Sequence, residues 1–155
     1  MPIQILQDQQ REIRLIEFSG TVRREELGAL SRLYIDRDFY RFGDREVVFF
    51  KPDASLAAID VEDISHLADS YIEAIRMRDD QTAVLSAWVM GDHVRADIRL
   101  WWEFTRGHVQ MREPRTVVDN IEAALIALGL SPDWAEDLQA HRGFRRFDSA
   151  GPAQT

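Results

Sequence analysis

Short apolar runs that are typical of strands alternate with segments of helical spacing along this chain. The clearest runs are Glu12 to Phe18, Glu46 to Phe50 and Thr82 to Val89. Between them, apolar residues recur at intervals of three and four, first from Leu27 to Tyr34 and then from Ile64 to Ile75. This alternation predicts an α/β fold with a single-layer mixed, largely parallel sheet of about four to five strands and helices packed on it.

The second half of the chain continues the pattern with shorter elements. A third helix is expected over 92–106, and Val109 to Met111 predicts one more short strand. We predict a fourth helix over Thr116 to Leu128 and a short terminal helix at about 132–141, for which Ser131-Pro132 is a start signal. Ligands of doubly wound sheets usually bind at the carboxyl ends of the strands, so a site is first sought there.

Length and charge limit the class of protein. The 155 residues suffice for one domain, which we predict over 1–148, with a core at about 11–130 and a disordered tail over 149–155. The absence of cysteine excludes disulfides, thiolate nucleophiles and thiolate metal sites. A net charge of −8 disfavours nucleic acid and anionic membranes as partners. No apolar run approaches the ~20 residues of a transmembrane helix, so a cytoplasmic location is expected.

The sequence contains no motif that carries chemistry by itself. Neither the GxGxxG nor the GxxxxGK[ST] phosphate-binding loop occurs, and the GxSxG nucleophile elbow is absent as well. The four histidines, His66, His93, His108 and His141, have no partner among themselves at i, i+3 or i, i+4. The acidic residues over 60–63 are explained by the helix dipole. No catalytic residue, cofactor or metal ligand is therefore predicted.

The most unusual segment contains three large aromatic residues within four positions, Trp101, Trp102 and Phe104. On a helix Trp101 and Phe104 share a face, whereas Trp102 is rotated by about 100° from Trp101. Two interpretations follow: an indole lines an apolar pocket or an oligomer interface, or the helix has a wide core face. Arg99, on the polar side of the same helix, joins the three aromatic residues as a candidate ligand or interface residue.

Four short segments lie beside or within the predicted helices. Ile16 to Val22 precedes the first helix, Thr82 to Leu85 follows the second, and Met111 to Glu113 is followed by Asn120 to Leu125. Together with the order of the elements, these motifs resemble the SpoIIAA-like family, a branch of the STAS fold related to bacterial anti-sigma-factor antagonists. The resemblance covers roughly residues 11–130. It implies a STAS-like fold and a regulatory domain of bacterial type.

The resemblance also implies a phosphorylation site. In the antagonist proteins, a serine in a D-S-S-G-L-like stretch at a helix start is phosphorylated, which switches partner binding. In the comparable stretch of this chain, Ile64 stands at the position of that serine and His66 replaces the glycine. Ser65 is the nearest hydroxyl and becomes the candidate phosphosite. Other members of the family resemble binders of lipids or apolar ligands, which implies an apolar cleft near Trp101 and Trp102.

The functional prediction is a non-enzymatic regulatory or interaction domain that binds a protein partner or itself, as a homodimer. The alternative is a binder of a small apolar or lipid-like ligand. An enzyme is the third hypothesis, because no nucleophile–base pair can be named from the sequence. A protein partner requires an exposed apolar patch, whereas a ligand requires a concave one, so the tertiary structure discriminates between the first two.

Overall fold

The structure is a computed structural model, in which residues 2–36, 38–41, 43–76, 85–105 and 115–147 are described. The side chains at positions 75, 76, 100–105 and 115 are outside this description. The strand predicted over Val109 to Met111 and the tail predicted over 149–155 also lie outside it.

The described residues form six strands and five helices. The strands are β1 (Ile3–Asp8), β2 (Ile13–Phe18), β3 (Arg45–Phe50), β4 (Leu85–Val89), β5 (Arg115–Val118) and β6 (Arg145–Arg146). The helices are α1 (Arg24–Ile35), α2 (Val61–Arg76), α3 (Asp92–Thr105), α4 (Ile121–Ala127) and α5 (Ala135–Ala140), with a 3₁₀ turn at Pro132–Trp134 before α5.

The strands make one mixed sheet in the order β5-β4-β3-β2-β1-β6. The ladders β2–β3, β3–β4 and β4–β5 are parallel, and β1 runs antiparallel to both β2 and β6. The predicted α/β class and the mixed sheet are confirmed. The predicted number of four or five strands was too low, and a largely parallel sheet is not confirmed, since two of the five ladders are antiparallel.

Helices cover both faces of the sheet. The helices α1, α2 and α3 connect successive parallel strands, and their buried residues, such as Leu30, Ile64 and Ile98, belong to one core. From β2 to β5, each connection moves one strand further along the sheet in the same direction. Right-handed connections of this kind place all their helices on the same face of the sheet. The helices α4 and α5 cover the opposite face, where Leu125 and Leu138 are fully buried in a second core.

The strand β3 shows how one segment serves both cores. Val48 and Phe50 belong to the core under α1, α2 and α3, whereas Val47 belongs to the core under α4 and α5. Successive side chains of a strand point to opposite faces, so an unbroken apolar run can fill two layers. The run from Val47 to Phe50 predicted such a strand, and the prediction is confirmed.

The helix predicted over Thr116 to Leu128 was wrong in its first part. Residues up to Val118 form β5, and α4 begins only at Ile121. The Asn120 side chain caps this helix by accepting a hydrogen bond from the Ala123 N–H at 2.8 Å. The β-branched residues before the cap instead extend the sheet beside β4, a pairing partner that the local pattern does not reveal.

The first and last strands were missed in the sequence. β1 pairs with β2 along its whole length, so the core includes Ile3 and Ile5 and extends beyond the predicted range of 11–130. β6 pairs with the other edge of β1, and the Phe147 N–H donates to the Ile5 carbonyl at 2.7 Å. The short terminal helix is found at the predicted place, and Ser131 accepts from the Asp133 N–H at 3.2 Å to start it.

Candidate functional site

The described residues form a cleft of about 520 Å³ at the edge of the sheet where the parallel strands β3, β4 and β5 end. We call this edge the carboxyl edge. Strand ends, the start of α3, the start of α4 and one residue of α5 contribute to the cleft. It is lined by Phe49, Phe50, Pro52, Val89, Met90, Gly91, His93, Asp119, Asn120, Ile121 and Gln139. A volume of this size lies within the range of about 300–1,000 Å³ that is usual for small-molecule sites.

The floor of the cleft is apolar. Phe50, Val89, Met90 and Ile121 are buried, and the ring of Phe49 is half-buried beside them. Phe50 and Phe49 point to opposite faces of the sheet, so the cleft reaches around the ends of the strands. An apolar floor of this kind stabilises a ligand by removing its apolar surface from water.

The rim of the cleft is polar and exposed. His93 stands in the first turn of α3, Gln139 belongs to α5, and Asp119 lies between β5 and α4. The Arg95 Nη2 atom contacts the Asp119 carboxylate at 3.0 Å, which ties α3 to the segment before α4. A few polar groups around an apolar floor can orient a ligand by hydrogen bonds.

A second group of polar residues lies at the opposite, amino edge of the parallel strands. Gln7, Arg14, Glu46 and Ser86 are neighbours in register on β1, β2, β3 and β4, and all four are buried. The Arg14 Nε atom donates to the Glu46 carboxylate at 2.8 Å. We call these four residues the buried polar row.

Arg14 is the centre of this row and is fully buried. Its guanidinium carbon lies 3.9 Å from the centroid of the Tyr40 ring, a distance typical of a cation–π contact. Burial by itself lowers the pKa of Arg14, but Glu46, Tyr40 and Asp44 together outweigh this effect, so the pKa is raised overall. Arg14 is therefore a permanent buried cation that is stabilised by its neighbours.

The segment between α1 and β3 seals the buried polar row from solvent. Phe39, Tyr40 and Asp44 of this segment are buried, and Asp44 accepts a hydrogen bond from Gln7 Nε2 at 2.6 Å. The Arg41 carbonyl lies at 3.5 Å from Arg14 Nη1. Because the row is covered in this way, it serves the structure of the sheet, and the cleft is the better candidate for a ligand site.

Of the predicted site residues on α3, Arg99 is not among the described residues that line the cleft. Arg99 is exposed on this helix. Trp101, Trp102 and Phe104 belong to its last turns, and their side chains lie outside the described residues. Their role in a pocket or an interface therefore stays a prediction.

The candidate phosphosite Ser65 is half-buried inside α2, four residues after the helix begins at Val61. The start of this helix is capped by two carboxylates. Asp60 accepts from the Asp63 N–H at 2.9 Å, and Asp63 accepts from the Asp60 N–H at 3.1 Å. The bond from the Asp63 N–H holds the pKa of Asp60 below its ordinary value. Phosphorylation of Ser65 stays a prediction.

Two further features are absent from the described part of the chain. Among the described residues, no three His, Asp or Glu side chains converge in a way that could hold a metal ion. No helix in the described part of the chain is long and apolar enough to cross a membrane.

Comparisons with family models, with curated proteins and with solved structures returned no match. The resemblance to the SpoIIAA-like family therefore stays a prediction from the sequence.

The residues of the cleft were missed in the sequence, which indicated only that the carboxyl ends of the strands are the place to look for a ligand. They come from four separate segments, and Phe49, Phe50 and Val89 are ordinary apolar residues at strand ends. One local signal was present, since Asn120 before Ile121 is a typical helix start at the end of a β-branched run.

Proposed function

We propose that this chain is a non-enzymatic binding domain that takes up a small, mostly apolar ligand in the cleft at the carboxyl edge. The cleft itself supports the proposal, because about 520 Å³ of concave space lies over an apolar floor. Solvent-filled concave apolar surface costs free energy, which a ligand of matching shape recovers.

The lining of the cleft favours binding over nucleophilic catalysis. None of the described lining residues carries a hydroxyl or a thiol. The two titratable residues in the lining, His93 and Asp119, are both exposed, and Asp119 is paired with Arg95. A catalytic site would need titratable groups that converge on one point of the cavity.

The exposed apolar residues favour a ligand over a protein partner. Among the described residues, the large exposed apolar side chains are Ile35, Val61, Leu85 and Ile126, and each belongs to a different helix or strand. A docking surface for a protein is a contiguous apolar patch. Exposed apolar residues that occur singly on the surface are normal for a folded domain.

Native mass spectrometry of the gently purified chain tests the proposal. We expect a bound species with additional mass that is lost on denaturation. The variant Gln139→Trp should abolish this mass, because Gln139 is exposed in the wall of the cleft and an indole there fills the space. The matched control Gln9→Trp places the same indole in the exposed turn between β1 and β2 and should leave the bound mass unchanged.

Two results would contradict the proposal. A dimer without additional mass would favour self-association, the first expectation from the sequence. Equal retention of the bound mass in Gln139→Trp and Gln9→Trp would place the ligand outside the cleft.

A further inference from the structure

Three titratable side chains meet next to the cleft, and none of the three is among its described lining residues. The Lys51 Nζ atom lies 3.2 Å from Glu17 Oε1, and the His141 Nε2 atom lies 3.1 Å from Glu17 Oε2. The three residues come from the end of β2, the segment after β3 and the residue that ends α5. We call them the cleft-end cluster.

Neighbours of all three residues place the cluster beside the cleft. Phe50 and Pro52, which flank Lys51 in the chain, both line the cleft. Glu17 pairs in register with Phe49, which lines the cleft from the adjacent strand. Gln139, two residues before His141, forms part of the cleft wall.

The buried member of the cluster, Glu17, uses both of its carboxylate oxygens inside the cluster. The Glu17 side chain is only 5% exposed, and each of its oxygens already has a partner in Lys51 or His141. Lys51 is 44% exposed, and its ammonium carries three donors, of which Glu17 takes one. The most exposed member of the cluster is therefore a positively charged donor.

A lysine as the charged donor is unusual for this chain. Lys51 is the only lysine among 19 basic residues, and the other 18 are arginines. An ammonium is a compact point charge, whereas a guanidinium is a planar fork. A ligand oxygen on the outer side of Lys51 lies closer to the ammonium than to the buried Glu17 carboxylate, so attraction exceeds repulsion.

We propose that the cleft binds an amphipathic carboxylate, with the apolar part of the ligand on the floor around Phe49 and its carboxylate on Lys51. Glu17 and His141 are positioning residues that hold the ammonium at the end of the cleft. This assignment rests on the proposed function, because it names the chemical class of the ligand for the same site.

Two probes with the same chain and different heads test the proposal. Octanoate and octan-1-ol are titrated separately into the full ¹⁵N-labelled chain, and amide shifts are followed by NMR. We expect both probes to shift the amides of Val89, Gly91 and Ile121, and octanoate to bind about tenfold more tightly, as a charge-assisted hydrogen bond predicts.

Variants at Lys51 assign the difference to the ammonium. Lys51→Met should lower the affinity for octanoate about tenfold, to that of octan-1-ol, and leave the affinity for octan-1-ol unchanged. Lys51→Arg keeps the charge and should retain a preference for octanoate. If Lys51→Met fails to fold because Glu17 is left buried with one partner fewer, Glu17→Gln combined with Lys51→Met removes both charges and carries the same expectation.

The outcomes separate this proposal from the proposed function. Equal affinities of the two probes, with shifts confined to the cleft, would overturn the carboxylate assignment and leave the binding function intact. A preference for octanoate that survives Lys51→Met would also overturn the assignment. If neither probe shifts the amides of the cleft, both proposals are overturned.

Discussion

Two buried glutamates on neighbouring strands are held by basic side chains in opposite surroundings. At the amino edge, Glu46 is bound to Arg14, which is fully buried beneath the segment between α1 and β3. At the carboxyl edge, Glu17 is bound to Lys51 and His141, and both of these partners reach solvent. The two carboxylates themselves are almost equally buried.

The two sites differ in how the basic side chain is affected when its glutamate carboxylate is removed. A cation without access to water cannot replace a missing carboxylate, so Arg14 depends on Glu46. An exposed ammonium can turn to water or to a ligand at little cost. The same residue type therefore has a structural role at one edge of the sheet and a role beside a binding site at the other.

The largest effect is expected for Glu46→Gln. This change keeps the shape of the side chain but leaves Arg14 as a buried cation without its charge partner. We expect a loss of about 3 kcal/mol in the free energy of unfolding, measured by urea denaturation with an unchanged m-value. The control Glu136→Gln, at an exposed position of α5, should change stability by less than about 0.5 kcal/mol.

A double variant checks the reason for that loss. Arg14→Met combined with Glu46→Leu removes both charges and should be more stable than Glu46→Gln alone, because no unpaired charge stays buried. If the double variant is the less stable of the two, the loss in Glu46→Gln does not come from the unpaired cation.

A smaller effect is expected for the same substitution at the other edge. Glu17→Gln should lower the free energy of unfolding by about 1 kcal/mol, because Lys51 and His141 can both exchange the carboxylate for water. The measurement is the same urea denaturation. Equal losses for Glu17→Gln and Glu46→Gln would remove the distinction between the two edges.

The smallest effect is expected at Asp60, a fully exposed carboxylate that caps α2. Its folded-state pKa is lowered, so its charge stabilises the fold above the pH at which Asp60 ionises in the unfolded chain. This contribution is lost as pH falls through the folded-state pKa, below about pH 4. Asp60→Asn should therefore be slightly less stable than the original chain at pH 6 and equal to it at pH 2, as measured by urea denaturation.

A matched variant on the same helix tests whether the effect belongs to the cap. Asp69→Asn changes another exposed carboxylate of α2, away from the helix start, and should show a smaller difference at pH 6. A deficit of Asp60→Asn that persists at pH 2 would contradict a role for its ionised form.

Much of the fold could be predicted from local patterns. The strands β2 and β3, the helices α1 and α2 and the start of the terminal helix at Ser131 were all found at their predicted places. Each of them is specified by side chains within a few residues of one another, through apolar periodicity or a helix cap. The elements that were missed lack such signals or depend on a distant strand.

For the candidate site, the sequence indicated which edge of the sheet to search but none of the lining residues. Glu17 and His141 are separated by 124 residues in the chain and meet only because α5 packs on the face to which Glu17 points. The sequence by itself determined the α/β class and the central strands, since these depend on local periodicity. The tertiary structure alone decided that β5 is a strand and that β1 and β6 complete the sheet. It also decided which charged side chains are buried and which reach solvent. Pairing partners and burial are properties of the assembled sheet, because they arise between residues far apart in the chain.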